Sequence, residues 1–245
     1  MKAFTHFFVL SVFACLMFQS CFVSFKTITG NGNLIRKEVP VSDYNEISLN
    51  ISADIFYDND TIAPPYLQIY TDENILPHIN VGVKDGRLTI DSEDGVNLRA
   101  TTLRIFTNSG NLNAVDVSGS GNVHLRGQVN AGEMRMNISG SGSVGADSLY
   151  CERTELDVSG SGSAKLRGVS NYSEFNVSGS GSIYALEFSS LKADASVSGS
   201  GMIKLWVGRK LDASVSGSGN IQYKGNPETK NTQVSGSGHI TKNEF

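Results

Sequence analysis

Residues 157–166 read Asp-Val-Ser-Gly-Ser-Gly-Ser-Ala-Lys-Leu, and the Ser-Gly-Ser-Gly at their centre occurs seven times in the second half of the chain. Leu156 and Val158 stand three and one residues before this turn's first Ser, and Ala164 and Leu166 stand two and four residues after its last Gly. Successive side chains of a strand point to opposite faces, so each apolar pair lies on one face of an extended segment. The motif therefore predicts strand, tight turn and strand, with the apolar face turned inward. The copies begin 18 to 21 residues apart, at Ser118, Ser139, Ser159, Ser178, Ser198, Ser216 and Ser235.

The glycines of the motif predict the corner between the two strands. A tight reversal commonly needs a positive φ angle, which Gly adopts without steric cost. A flexible Gly/Ser linker would not place Val or Ile directly before every copy, so a low-complexity linker is excluded. The predicted structural turns contain Gly119, Gly121, Gly140, Gly142, Gly160, Gly162, Gly179, Gly181, Gly199, Gly201, Gly217, Gly219, Gly236 and Gly238.

A repeat of about 20 residues predicts stacked coils, because one such coil cannot bury its apolar face alone. Stacking at the strand spacing of roughly 4.8 Å aligns the inward residues in columns. We therefore predict an all-β fold, a parallel β-solenoid with two or three short strands per coil, and a right-handed one by the general preference of parallel connections. Apolar residues six to eight positions after each turn predict a short third facet: Val129, Leu149, Val169, Phe188 and Val207.

Three other repeat architectures agree less well with the sequence. A propeller blade has four strands and about 40 residues or more, so the repeats would have to pair. The left-handed hexapeptide helix has a strict six-residue pattern, which this sequence lacks. Calcium-binding nonapeptide solenoids use an Asp ligand in turns where this chain has Ser, so we predict no calcium in the turns.

The amino terminus predicts export. The apolar stretch from Phe7 to Phe18 has the length of a signal peptide and is too short for a membrane-spanning helix. The following Gln19-Ser20-Cys21 resembles a bacterial lipoprotein signal, in which the Cys becomes the first mature residue. We predict that residues 1–21 are a lipoprotein-type signal peptide, that Cys21 carries lipid, and that the protein is an outer-membrane lipoprotein of the cell envelope. An ordinary cleaved signal peptide is the alternative.

Charge and cysteine content argue against several classes of function. The net charge is −4 and the 20 Lys and Arg residues form no block, so we predict no nucleic-acid partner. Without the signal peptide, Cys151 is the single thiol and no intramolecular disulfide is available. Cys151 has no accompanying His or Asn/Asp pattern, which favours a small core residue over a nucleophile. His78 and His239 are isolated in sequence, and we predict no metal and no cofactor.

The two halves of the mature chain differ in regularity. Residues 22–110 have unevenly spaced strand patterns and longer loops, whereas residues 111–245 hold the regular repeats. Gly30–Leu34, with the sequence Gly-Asn-Gly-Asn-Leu, has the same turn-plus-apolar frame as the repeats. We therefore predict that the first half forms degenerate coils of the same solenoid, which would cover the exposed strand edge of the array.

Several segments, taken in order, resemble one known family. They are Gly30–Leu34, Val41–Leu49, Asp72–Ile79, Val83–Ile90 and the Val-Ser-Gly-Ser-Gly series. This order is similar to the head GIN domain family, whose members are described as putative auto-transporter adhesins of Gram-negative bacteria. The resemblance implies a pectin-lyase-like solenoid without catalytic residues and a role in adhesion. Leu49–Ile55 departs from the pattern, because it lacks the Gly expected at a corner.

A first outward column of side chains, two residues before each turn, is a candidate catalytic surface. Asp116 and Asp157 would lie two coils apart, or roughly 10 Å. That is too far for a retaining glycosidase pair and near the upper limit for an inverting pair. The column lacks a third carboxylate or an Arg, so we favour a solvated polar ladder, predict no catalytic residues, and keep a polysaccharide-processing enzyme as the alternative. The column contains Asp116, Asn137, Asp157, Asn176, Ser196, Ser214 and Gln233.

A second outward column lies between the two apolar residues that follow each turn. Aromatic and cationic side chains in one row can stack against and hydrogen-bond to a sugar or an acidic polymer. A plain solvated surface is the alternative, because single exposed aromatics are ordinary. Trp206, next to the inward Leu205, covers the side of the solenoid or anchors a partner. The candidate binding face consists of His124, Lys165, Tyr184, Lys204 and Gln222, with Gly145 in the same column.

These observations favour a non-catalytic binding or scaffold protein of the cell envelope, with adhesion as its role. Its expected partners are a host surface, a glycan or another envelope protein, and it would reach the membrane through its lipid anchor. A structural envelope protein that self-assembles into a homo-oligomer is a further alternative.

Overall fold

The computed structural model describes residues 26–60 and 62–243. The predicted signal peptide and Cys21 lie outside the described residues. The described part contains eighteen strands and one 3-10 turn, Leu76–His78, and no α-helix. The first nine strands are β1 Lys26–Thr29, β2 Leu34–Val39, β3 Glu46–Leu49, β4 Asp54–Asn59, β5 Leu67–Asp72, β6 Ile79–Lys84, β7 Arg87–Ser92, β8 Val96–Arg99 and β9 Leu103–Ser109. The others are β10 Ala114–Gly119, β11 Asn122–Gly140, β12 Ser143–Gly160, β13 Ser163–Gly179, β14 Ser182–Gly199, β15 Met202–Gly217, β16 Asn220–Lys224, β17 Thr229–Gly236 and β18 His239–Lys242.

The second half of the chain is a parallel β-solenoid, as the repeats predict. Strands β11 to β15 each run from one Ser-Gly-Ser-Gly corner to the next, so each forms a nearly complete coil. Every coil pairs in parallel with the coil before it, and equivalent positions of successive repeats are direct partners. Asn137, for example, pairs with Asp157, and Asp157 with Asn176. The sequence period therefore equals the length of one coil.

The core runs through the inside of the coils. Leu156, Val158, Ala164 and Leu166 are all buried, in agreement with the inward pattern predicted around the turns. Four of the five residues predicted for the third facet are also buried: Val129, Leu149, Phe188 and Val207.

The prediction for Val169 is wrong, because this side chain is 45% exposed. The register between β12 and β13 shifts after Ala146, so that Gly168 is the partner of Leu149 and Val169 becomes the partner of the outward Tyr150. A one-residue change of register turns every following side chain to the opposite face until the register is restored.

The two glycines of each turn are required for different reasons. The first one has positive φ in all seven copies, from +98° at Gly119 to +119° at Gly140. The second one lies against the previous coil, where a Cβ on Gly181 would be 2.5 Å from Cγ1 of Val158 and 2.8 Å from the carbonyl oxygen of Gly162. Coils at strand spacing thus leave no room for a side chain at the corner.

The first half of the chain combines solenoid strands with antiparallel pairs. Strands β3, β4, β7 and β9 continue the parallel ladders of the regular coils. The pairs β2–β5, β5–β9 and β6–β7 are antiparallel, and β1 pairs with β8 in a separate two-stranded sheet. The degenerate coils predicted here are therefore present only in part.

Gly30–Leu34 shares the turn-plus-apolar frame of the repeats but is not a corner between two coils. This segment joins β1 and β2, which belong to different sheets. Its turn is held by the buried carboxylate of Asp72, which accepts hydrogen bonds from the backbone N–H groups of Gly32 and Thr101, each at 2.7 Å. Burial alone would raise the pKa of Asp72, but the hydrogen bonds to its carboxylate, with those from Gly32 and Thr101 the largest, bring it below its ordinary value.

The corner without glycine, at 50–53, is formed by a tight backbone turn in which the N–H of Ala53 donates to the carbonyl of Ile51 at 3.0 Å. The carbonyl oxygen of Ile51 lies 2.5 Å from the position that a Cβ on Gly121 would take. Glycine is therefore required at position 121 of the next coil, because a side chain there would collide with this carbonyl.

Candidate binding face

The outward row of the strands that follow each turn is longer than the sequence predicts. The parallel register continues the row beyond His124 to Phe56 of β4 and Phe106 of β9. In order along the solenoid, the row contains Phe106, Phe56, His124, Gly145, Lys165, Tyr184, Lys204, Gln222 and Thr241. The five residues of the candidate binding face therefore lie in one line on adjacent coils, interrupted at Gly145.

The first part of the row is an aromatic stack. The rings of Phe106 and Phe56 are 5.3 Å apart between centroids with an interplanar angle of 17°, and those of Phe56 and His124 are 5.2 Å apart at 15°. Offset stacking of this kind stabilises aromatic pairs beyond the area that they bury. His124 is thus a rigid end of the stack, held on one face by Phe56.

A cation covers the side of this aromatic stack. The guanidinium carbon of Arg126 lies 5.6 Å from the ring centroid of Phe56 and 5.8 Å from that of Phe106. The guanidinium also forms an ion pair with Asp58. The positive charge of Arg126 is therefore neutralised by Asp58, and the stack presents aromatic surface without an unpaired charge.

The second part of the row alternates cations with an aromatic ring. Tyr184 is 42% exposed and lies between Lys165 and Lys204 on neighbouring strands. Neither lysine has an ion-pair partner within residues 26–60 and 62–243, whereas the nearby Arg167 is bound to Glu187 at 2.9 Å. The free positive charge on this surface is therefore concentrated at the two lysines that flank Tyr184.

Residues near the far end of the row contribute less. Gln222 follows Lys204 in the row, and the parallel ladder ends at Thr241 of β18. Trp206 is half-buried and its ring packs over Gly208. A Cβ atom added to Gly208 would lie 3.6 and 3.7 Å from the two nearest ring atoms of Trp206. Trp206 therefore covers the side of the solenoid, the first of the two roles predicted for it.

The polar column before each turn is a ladder of hydrogen-bonded side chains. The Nδ2 of Asn137 donates to Asp116 at 2.7 Å, and the Nδ2 of Asn176 donates to Asp157 at 2.9 Å. Asp116 also forms an ion pair with Arg87 at 3.0 Å. Each carboxylate that the sequence marked for catalysis is thus bound to an amide on the next coil, as in a structural ladder.

Sequence reasoning missed a second acidic row two residues further from the turn. Glu155, Glu174, Asp194 and Asp212 are consecutive partners on β12 to β15. They are bound by neighbouring side chains, since Arg153 pairs with Glu174 at 2.6 Å, Tyr172 donates to Asp194 at 2.5 Å and Lys210 pairs with Asp212 at 2.5 Å. Lys210 holds the pKa of Asp212 below its ordinary value, while burial and Asp194 raise the pKa of Tyr172 to about 12. Each of the four acidic residues stands four positions before the first Ser of its turn, so the repeat spacing that gives the first polar column also locates this row.

Cys151 is half-buried on the third facet, and burial raises the pKa of its thiol to about 11. A thiol with a raised pKa is a poor nucleophile at neutral pH. His78 lies 2.6 Å from Glu93. Within the part of the chain that the structure describes, no group of three or more His, Cys, Asp or Glu side chains is arranged to hold a metal ion. In the same residues, no helix has the length and apolar character needed to cross a membrane.

Comparison with known proteins identifies close structural relatives. A family model described as "Putative auto-transporter adhesin, head GIN domain" matches residues 43–227. A crystal structure described as a putative adhesin from Bacteroides fragilis has a TM-score of 0.84 and 29% identity, over 88% of this chain and 100% of that one. Two structures from Parabacteroides distasonis each cover 89% of this chain and 100% of their own. One is described as a putative lipid binding protein, with a TM-score of 0.74 and 31% identity, and the other as a putative adhesin, with a TM-score of 0.73 and 29% identity. No curated protein matches the chain.

Proposed function

The chain belongs to the head GIN domain family, and from this premise we propose that it is a non-catalytic adhesin of the cell envelope that binds an acidic glycan through the candidate binding face. The family and two of the three structural neighbours are described as putative adhesins, and this points to an exported protein of the cell surface or envelope. Lipid on Cys21 would tether the solenoid to the outer membrane, so that its long side remains free for a partner.

The observation that carries this proposal is the row Lys165–Tyr184–Lys204. Two lysines without ion-pair partners in the described residues flank an exposed aromatic ring on a rigid sheet. Charge-assisted hydrogen bonds to carboxylates are about twice as strong as neutral ones, and an aromatic face binds the apolar face of a sugar ring. The side chains are ordered along one line, which suits a linear polymer lying along the solenoid axis.

An acidic glycan is favoured over the other expected partners by the spacing of the charges. Lys165 and Lys204 are two strands apart, or roughly 9.6 Å. In an extended glycan that carries an acid on every second sugar, successive carboxylates are separated by a similar distance. A protein partner would more often bury a hydrophobic centre, and Tyr184 is the one large apolar side chain within Lys165–Tyr184–Lys204.

The enzyme alternative has less support. Its candidate carboxylates, Asp116 and Asp157, are each bound to an Asn of the adjacent coil. General acid–base catalysis needs carboxyl groups that are free to reach the reacting atoms. An envelope scaffold that self-assembles would have no need of a free cationic row on the side of the solenoid.

The proposal is tested with an octasaccharide of alternating glucuronic acid and N-acetylglucosamine and the chain produced from residue 22, which keeps every described strand. We expect binding by isothermal titration, and a loss of affinity of about hundredfold or more in the combined Lys165→Ala, Tyr184→Ala and Lys204→Ala variant. The matched control replaces the same residue types elsewhere on the surface, at Lys84, Tyr150 and Lys192, and should bind like the unchanged protein. Equal binding of the octasaccharide after its carboxyl groups have been reduced to alcohols would contradict the proposal.

A further inference from the structure

We propose that the gap at Gly145 is a subsite for one neutral pyranose ring of the bound glycan. This inference rests on the proposed function and adds a position, a ring type and an orientation to it. The gap lies in the middle of the outward row, between the end of the aromatic stack at His124 and the first free lysine, Lys165.

The geometry of the stack places a ring at this position. The centroids of Phe106, Phe56 and His124 follow one another at 5.3 and 5.2 Å, close to the spacing of the coils that carry them. The next coil carries Gly145, so the place of the fourth ring holds no side chain. One face of His124 lies on Phe56, and the other is directed toward this vacant place, since a Cβ on Gly145 would be 3.6 Å from Nδ1 of His124.

The vacant place is large enough for a sugar ring. It is a depression with a volume of ≈ 240 Å³, and its polar lining around Gly145 consists of His124, Ser143, Asp147, Ser163, Lys165 and Arg167. The distance from His124 to Lys165 is two coil spacings, or roughly 9.6 Å, which leaves room for one ring in van der Waals contact with both sides.

The lining of the depression matches a neutral sugar. The imidazole face offers a stacking surface for the C–H groups of a pyranose. The exposed Asp147 carboxylate and the hydroxyl of Ser163 offer hydrogen-bond partners to sugar hydroxyls. Asp147 forms no ion pair among the described residues, and the Arg167 guanidinium that also lines the depression is bound to Glu187 at 2.9 Å, so Asp147 would repel a sugar carboxylate placed beside it. A flat aromatic side chain of a protein would stack equally well but would leave Asp147 unpaired.

The test fills the gap without disturbing the fold. Gly145 does not have positive φ and a Cβ there makes only an ordinary contact with His124, so Gly145→Thr should keep the thermal stability of the protein. We expect Gly145→Thr to weaken binding of the octasaccharide by about tenfold or more, and His124→Ala to weaken it by a similar factor. Gly145→Ala fills less of the gap and should lie between Gly145→Thr and the unchanged protein.

The matched control is Gly82→Thr, another exposed strand glycine with no atoms near its Cβ position. It should leave the affinity unchanged. If the unchanged protein binds the octasaccharide and loses it on removal of Lys165, Tyr184 and Lys204, but Gly145→Thr binds normally, the subsite is overturned and the proposed function stands. If the unchanged protein does not bind the octasaccharide at all, the proposed function fails and the subsite with it.

Discussion

Strands β1–β9 and the regular coils β10–β18 satisfy their polar groups in different ways. In the regular coils the same contact recurs, as at the corner where the N–H of Ser180 donates to the carbonyl of Gly160 at 2.8 Å and that of Ser200 to Gly179 at 2.8 Å. In the first region each contact occurs once. Asp72 is an example, because one of its oxygens accepts a hydrogen bond from the N–H of Gly32 and the other from the N–H of Thr101, two segments far apart in sequence.

Buried hydroxyl groups in the first region also make hydrogen bonds that occur only once and do not follow the repeat. The hydroxyls of Tyr44 and Thr107 are 2.7 Å apart, and that of Tyr57 donates to the carbonyl of Ser109 at 2.6 Å. Burial raises the pKa of both tyrosines, so they keep their protons and remain donors. The comparison teaches that the coils depend on a repeated backbone geometry, whereas the first region depends on particular side chains.

The largest expected effect comes from breaking the repeated geometry at a central corner. Gly179 has φ +113° and its Cβ would lie 2.7 Å from the carbonyl oxygen of Gly160. Gly179→Val should lower the free energy of unfolding by about 3 kcal/mol or more, because a side chain there strains the backbone and separates two coils. Urea unfolding followed by circular dichroism measures the change.

The control for the corner is Gly82→Val, at a strand glycine with negative φ and open space around it. It should change the unfolding free energy by less than about 1 kcal/mol. Similar losses in Gly179→Val and Gly82→Val would show that the corner tolerates a side chain, and that the repeated geometry is not what holds the coils.

A smaller effect is expected at Asp72 in the first region. Asp72→Asn retains the size of the side chain but turns one acceptor oxygen into an NH₂ group that faces a backbone donor. We expect a loss of about 2 kcal/mol in the free energy of unfolding at pH 7. The pKa of Asp72 is lowered in the folded protein, so its ionised form stabilises the fold above the unfolded-state pKa of about 4 and loses this effect as the pH falls further.

The free energy of unfolding, measured between pH 7 and pH 3, therefore separates the effect of the Asp72 charge from the effect of side-chain shape. The difference between Asp72→Asn and the unchanged protein should shrink as the pH falls below about 4. Asp60→Asn is the matched control for hydrogen bonding, since the N–H groups of Ile62 and Ala63 both donate to a single oxygen, Oδ1, which Asn retains. These bonds also lower the pKa of the exposed Asp60, so we expect the same pH trend with a smaller difference than at Asp72. A difference at Asp72 that stays constant with pH would assign the loss to packing instead of ionisation.

The regular coils could be predicted from the sequence because their information is local and repeated. The turn, its glycines and the inward pairs all lie within about ten residues of one another, and seven copies reinforce each inference. Val169 escaped this reasoning because the register between β12 and β13 shifts after Ala146, a change that spacing alone does not reveal.

The first region and much of the candidate binding face depend on partners distant in sequence. Phe56 stacks on His124 across 68 positions of the chain, and Gly32 binds the Asp72 side chain across 40. No local pattern marks such pairs. Six of the nine residues in the row, from His124 to Gln222, stand at equivalent positions of the repeat, which is why the sequence located them.

The smallest expected effects compare two buried threonines of the first region. Thr107 Oγ1 is bonded both to Tyr44 and to the carbonyl of Tyr66, at 2.7 and 2.8 Å. Thr71 Oγ1 is equally buried but has no hydrogen-bond partner among the described residues. Thr107→Val should lower the free energy of unfolding by about 1.5 kcal/mol, because it leaves buried partners unpaired, whereas Thr71→Val should leave it unchanged or raise it by up to about 1 kcal/mol.

The same Thr→Val substitution is thus expected to lower the free energy of unfolding at one fully buried strand position and to leave it unchanged or raise it at the other. Both variants replace a hydroxyl with a methyl group of similar size, so packing differs little between them. Urea unfolding of the two variants and of their combination measures the signs and their additivity. A loss at Thr71 as large as that at Thr107 would mean that the Thr71 hydroxyl is bound in solution, and that the first region is tied together by one more individual contact than the structure assigns to it.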